Sequence, residues 1–283
     1  MTNIDNVRHW LNFLYLILKK GNLFRITFDN EAYKRQIHQY HISDNQFANV
    51  EVNLSRWKKF LLKFPVIGQI VSLTSLYRDQ RRWPIFVYHW PEKKLAFVRI
   101  SKNASTTILA SIMKAQFPHL DITTWSVDEI NLLAQASMKP YIEEGYNSFT
   151  VVRHPIDRLK SCYFDQVLDR AELSYFSRLY FGIFPKDISF YQFVKRVMNI
   201  PDELKEIHFR KQVKCIPQDI ELRIFKYEEF DEELTAFLES YEVIVKNMTL
   251  NKRTRTPTII NHGEIKSLIM EGYKEDFIKF GYN

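Results

Sequence analysis

The sequence predicts an α/β fold: a central parallel sheet flanked by helices, with a mostly helical extension ahead of it. Three observations predict it. Short β-rich runs alternate with helix-patterned stretches after residue 84. Only seven glycines in 283 residues argue against a loop-rich all-β chain. A composition 46% hydrophobic and 26% charged is that of a chain able to bury a large core.

Residues 1–83 make up the expected helical extension, and residues 84–283 the main domain. The apolar run from Trp10 to Leu18 is too short to cross a bilayer, which takes about 20 residues. It lacks a small-residue cleavage site and so does not read as a signal peptide. It reads as the buried face of a helix. The alternative, with Lys19 and Lys20 beside it, is an interfacial anchor that gives the chain a peripheral membrane contact. Pro65 and Gly68 punctuate the extension. Ile85–Trp90 and Leu95–Ile100 read as strands joined by the turn-like Pro91-Glu-Lys-Lys. A polar loop follows, and a helix runs from about Ile108 until Pro118. Ser126–Ala136 has helical spacing, with Ser126 and Glu129 placed as a capping box. Ser148–Val152 is a short buried strand, and Pro155 opens a helix expected to reach about Ala171. Residues 173–210 are aromatic and read as helices with loops. Ile220–Tyr227 reads as a strand and Glu232–Tyr241 as a helix.

The formal net charge of +7 suits anionic small molecules or polyanionic chains. The basic runs Arg78–Arg82 and Lys252–Arg255 are short and no nucleic-acid motif accompanies them, so nucleic-acid binding is not expected. Cys162 and Cys215 form neither a disulfide framework nor a metal-ligand pair, which fits a reducing compartment. The sequons at Asn103 and Asn247 would draw glycans in a secretory lumen, one of them onto the polar loop. A cytoplasmic location is therefore expected. No acidic cluster points to a required metal.

Two constellations carry chemistry. In Leu95–Thr107 an apolar strand leads through a loop into a helix, so that backbone N–H groups at the helix start converge with Lys102, Ser105, Thr106 and Thr107. Asn103 and Ala104 supply the backbone between them. This is an anion cradle without glycine, unlike the G-x-x-x-x-G-K-[ST] loop of nucleoside triphosphatases. After the strand ending at Val152 come Arg153, His154, Pro155, Arg158 and Ser161. An arginine at a strand's C-terminal edge with a nearby hydroxyl makes a second phosphate site. A nucleotide with anionic groups at both ends would fill the two.

Together these segments resemble the sulfotransferase family, in the branch of Golgi carbohydrate sulfotransferases and their bacterial relatives. The family loop P-K-x-x-S-T-[ST] is matched by Ser101–Thr107, with Ser101 in place of proline. The motif R-x-P-x-x-R-x-x-S-x-Y is matched at Arg153, Pro155, Arg158, Ser161 and Tyr163. Weaker echoes are His208–Gln212, Phe225–Phe230 and the tail Tyr273–Tyr282. The first of these lacks the family's proline, and is read without its usual acidic partner, Lys205 and Glu206 standing there. The resemblance implies a P-loop-like sulfotransferase fold in a soluble, bacterial-type member.

It further implies 3′-phosphoadenosine 5′-phosphosulfate (PAPS) as co-substrate and a carbohydrate acceptor. Residues 102–107 would hold the 5′-phosphosulfate, with Lys102 as electrostatic stabiliser. Arg153 and Ser161 would hold the 3′-phosphate. Arg158 would join them or pair with Asp157 or another carboxylate, and Arg255 would belong to a lid, Lys252–Arg255. His208 is the first candidate for the base, with His119, Asp121 and Glu143 as alternatives. His154 orients the turn, and Cys162 packs. Aromatic residues from Tyr175 to Phe193 would stack sugars or fill a core. A nucleotide kinase or triphosphatase would need the missing glycine-rich loop. A catalytically inactive nucleotide binder or scaffold would keep the phosphate motifs without a base.

Overall fold

The computed structural model describes residues 3–20, 65–82, 84–122, 125–168, 179–229, 233–244 and 263–283. Within them lies a mixed five-stranded sheet, β1 Val87–Trp90, β2 Leu95–Val98, β3 Met138–Lys139, β4 Asn147–Val152 and β5 Arg223–Lys226, in the order β3-β1-β2-β4-β5. The sheet is not wholly parallel, as strand–helix alternation predicts. β2, β4 and β5 are parallel, but β1 runs antiparallel to both β2 and β3. The reason is loop length. Pro91–Lys94 closes in one tight turn, with Lys94 left-handed at φ +48°, and no parallel crossover fits in so few residues.

Helices flank the sheet: α1 Asn3–Lys20, α2 Pro65–Arg82, α3 Ser105–Gln116, α4 Val127–Ala134, α5 Pro155–Tyr163, α6 Phe190–Met198, α7 Glu233–Glu239, α8 Gly263–Gly272 and α9 Lys274–Phe280. The expected capping box is present. Ser126 Oγ accepts from the Glu129 N–H, and the Glu129 carboxylate accepts from the Ser126 N–H at 2.7 Å. The helix expected from Pro155 to Ala171 instead turns π-helical over Phe164–Leu168.

β2 and β4 are buried on both faces, as strands under helices must be. Phe97 and Phe149 stack across them at 4.9 Å, and α3 covers one face with Ile108, Leu109 and Ile112. A larger cluster gathers α5, α6, α8 and α9 around Tyr180, Phe184, Phe193 and Tyr273. Phe181, Phe184, Phe190 and Phe193 from the aromatic stretch are buried there, so this part of it is core. Tyr175 to Arg178 lie outside the described residues.

The N-terminal helices join that core. Phe13 and Ile17 of α1 and Leu73 of α2 are buried in it, with the Phe13 and Tyr180 rings edge-on at 6.4 Å. The opposite side of α1 is apolar as well. Trp10, Leu11, Leu14, Tyr15 and Leu18 are exposed, Leu18 by 76%. The run Trp10–Leu18 is thus only partly the buried face expected of it. No described helix is long and apolar enough to cross a membrane. Cys162 and Cys215 are buried and unbridged.

Candidate active site

The parallel register creates the site. Val98 pairs with Thr150 and Val152 with Lys226, so the C-terminal ends of β2, β4 and β5 lie side by side. The segments that leave them are the Lys102 loop, Arg153 and Tyr227. In open α/β sheets this edge is where ligands sit. The two constellations singled out in the sequence are therefore neighbours: Arg153 Nη1 donates to the Lys102 carbonyl at 3.2 Å. The Arg153 guanidinium lies over the Tyr227 ring, 4.5 Å from its centroid, a cation–π contact that helps to fix it.

The loop bends without glycine. Lys102 and Ala104 take left-handed backbone angles, φ +72° and +55°. For residues with a Cβ, such conformations cost of order 1–3 kcal/mol each and persist only where surroundings enforce them. Here the enforcement is visible. Asn103 Nδ2 donates to the Val151 carbonyl at 2.8 Å and to Gln212 Oε1 at 2.7 Å. Arg158 Nε donates to the Ser101 carbonyl at 3.0 Å. Ala104 becomes the cap residue of α3, and no side chain caps the helix. The helix thus starts at Ser105 and not at Ile108. The N–H groups of Ser105, Thr106 and Thr107 have no carbonyl to meet within the helix. An uncapped helix start beside a lysine is arranged for an anion.

In the structure the partners of Arg158 are backbone carbonyls. It is 1% exposed, and its three nitrogens donate to the carbonyls of Ser101, Arg210 and Ile207 at 3.0, 2.6 and 2.8 Å. One guanidinium therefore fastens the backbone just before Lys102 to the backbone just before His208. The sequence gives a helical arginine's common fate as an ion pair; the fold supplies carbonyls because two loops close over this helix face.

His208 follows that brace. Its Nδ1 lies 2.7 Å from Glu206 Oε2, which also accepts from the His208 N–H at 2.8 Å. Glu206 is 1% exposed. A carboxylate accepts only, so Nδ1 carries the proton and basicity resides at Nε2. From the sequence Glu206 has no part; in the structure it orients the imidazole. Its place two residues before the histidine was the legible signal. Burial pushes the Cys162 thiol well above the ordinary range, which leaves it a packing role.

The alternative bases do not converge on the loop. His119 and Asp121 come after the far end of α3, about 18 Å of helix from its N-terminus. Glu143 pairs with Lys139 on the edge strand β3. His154 caps α5, its Nδ1 accepting from the Ile156 N–H at 3.3 Å, and packs edge-on against Phe277 and Tyr282. Ser161 is half-buried on α5. Lys252–Arg255, and Arg255 with it, lie outside the described residues.

Three further residues carried no role in the sequence. Gln212 is fully buried and bonds both constellations. Its Oε1 accepts from Asn103 and from the Arg153 N–H, while Nε2 donates to the Arg153 carbonyl at 2.8 Å. Asp276 of the tail accepts from the Gln212 and Val213 N–H groups at 2.9 and 3.0 Å, and burial raises its pKa. Asp165 meets Lys102 Nζ at 2.6 Å. The tail and the His208–Gln212 stretch thus act as a brace behind the loop.

Two buried polar atoms here have no partner in the described structure, Arg153 Nε and Asn103 Oδ1. A buried donor left unbonded costs about 1–3 kcal/mol. Arg153 Nε therefore fits a ligand that carries an acceptor, such as a phosphate oxygen. Among the described residues no group of His, Cys, Asp and Glu is placed to hold a metal ion.

The chain matches the family model described as sulfotransferase family over residues 87–283. No curated protein and no solved structure matches it significantly. The match begins at β1 and covers both constellations, His208 and the tail, and on that evidence the chain belongs to the sulfotransferase family.

Proposed function

We propose that the protein transfers a sulfuryl group from PAPS to a hydroxyl of a carbohydrate, a polysaccharide or a glycolipid. One observation carries this reading: the Arg158 brace that brings Lys102 and His208 to the same edge of the sheet as Arg153. In-line transfer needs a cation at the leaving group and a base at the acceptor. The acceptor oxygen bonds to sulfur as the bond from sulfur to the bridging phosphate oxygen breaks. His208 Nε2 takes the hydroxyl proton, with Glu206 holding the imidazole and steadying its positive charge. Lys102 and the first N–H groups of α3 meet the charge that gathers on the leaving phosphate. Arg153 and Ser161 hold the 3′-phosphate.

Titration with 3′-phosphoadenosine 5′-phosphate tests the donor half, and a dissociation constant on the order of 1 μM is expected. No binding at millimolar nucleotide sinks the reading. Ser161→Ala is expected to weaken this ligand about tenfold while leaving AMP, which lacks the 3′-phosphate, unchanged. Equal losses for both remove Ser161 from the site. Transfer of labelled sulfate from PAPS to a panel of polysaccharides and glycolipids tests the acceptor half.

The outer face of α1 supports the peripheral membrane contact. Trp10, Leu11, Leu14, Tyr15 and Leu18 form one exposed side of the helix, with Lys19 and Lys20 at its end. An apolar face with an aromatic pair and adjacent cations suits an anionic bilayer surface. The full chain is expected to sediment with phosphatidylglycerol vesicles and less with phosphatidylcholine. Leu11→Glu with Leu14→Glu should abolish it. Equal sedimentation of the variant rules out this face.

A further inference from the structure

The ammonium proposed to meet the donor already has a partner. Lys102 Nζ lies 2.6 Å from Asp165 Oδ2, with the two side chains 17% and 28% exposed. The carboxylate is itself held, since Gln166 Nε2 donates to the same Oδ2 at 2.6 Å and Gln166 is 2% exposed. Asp165 stands in the π-helical segment Phe164–Leu168 that continues α5. Such widened turns re-aim side chains and recur at functional sites. At its entry the Phe164 N–H is shared between the carbonyls of Lys160 and Ser161. The latch thus grows from the same turn as Ser161.

We propose that Asp165 is a positioning residue that acts as a counter-ion latch on Lys102, released by the phosphosulfate of the donor and re-formed as the bisphosphate product leaves. The inference rests on the sulfotransferase reading of the site. Its physics is competition. A lysine paired with a carboxylate is available to an anionic ligand only to the extent that the pair opens, and apparent affinity falls by that fraction. A partly buried pair of this length is stronger than an exposed one, because water screens it less. In the empty protein Asp165 spares the site a half-buried, uncompensated cation. In the product complex it competes with the phosphate for the same ammonium, which favours release.

The test is a double-mutant cycle on the full chain. Asp165→Asn keeps the side chain's shape and an acceptor for Gln166 but removes the charge. It is expected to bind 3′-phosphoadenosine 5′-phosphate about tenfold more tightly than wild type, through slower dissociation. In a Lys102→Ala background the same substitution should give no such gain. Inorganic pyrophosphate provides a second probe. A gain with pyrophosphate but no binding of the nucleotide keeps the latch and discards the donor assignment. Affinity equal to or weaker than wild type in Asp165→Asn overturns the latch, as does an equal gain without Lys102. Wild type that binds neither probe overturns both readings.

Discussion

Lys102→Ala is expected to lower the rate of sulfuryl transfer by about 10²–10³-fold while the protein stays folded. That is the loss seen when one pre-placed group facing developing charge is removed. The residue stands in a loop held by bonds from Arg153, Arg158 and Asn103 to the backbone, none of which uses its own side chain. The loop should therefore keep its shape. The truncation does leave Asp165 without its cation at 2.6 Å, and a stray carboxylate beside the helix start would repel the donor. Lys102→Ala combined with Asp165→Asn separates the two effects. If the rate loss belongs to the missing ammonium, the double variant stays slow even where nucleotide binding recovers. Single-turnover rates with saturating PAPS measure this, and a double variant as fast as wild type would remove Lys102 from the transition state.

Arg158→Ala is expected to destabilise the protein by roughly 3–5 kcal/mol. The side chain is 1% exposed and satisfies three backbone carbonyls, that of Arg210 in a buried bond and those of Ser101 and Ile207 in part-buried ones. Each orphaned group costs about 1–3 kcal/mol, and an arginine-sized cavity adds to the loss. For a chain of this size the melting temperature should fall by about 10 °C or more. Arg158→Lys should recover little, because one ammonium cannot reach three carbonyls in the plane of a guanidinium. Calorimetry decides between this role and a phosphate-binding one. A variant as stable as wild type that has lost only nucleotide affinity would return Arg158 to the ligand shell.

The Lys102 and Arg153 segments were legible as motifs because each is local. A strand, a bend and a helix start lie within a dozen residues, and their chemistry follows from that order. His208 was legible through the family resemblance and its polar surroundings in the sequence. Its carboxylate partner was readable at Glu206, two residues before it. Asp165 and Gln212 left no such signal. Their partners lie 63 residues away in one case and 109 or 59 in the other, and nothing in a linear pattern marks such a pairing. The antiparallel edge of the sheet was half legible, since the turn Pro91–Lys94 was visible and its shortness already forbade a parallel crossover.

Arg158 shows where the division falls. Its place in a motif shared by a family, and its helix face, were set by spacing alone. Whether it would face a phosphate, a carboxylate or a carbonyl depended on which loops close over that face. Residue types and local order by themselves marked four of the five strands and the two strand-to-helix segments that carry Lys102 and Arg153. The tertiary structure decided that these segments are neighbours, that one buried guanidinium fastens Lys102's loop to His208's, and that Lys102 rests on Asp165. Local geometry is written in short-range sterics and hydrogen bonding, whereas a buried polar group's partner is settled by whichever distant backbone is folded against it.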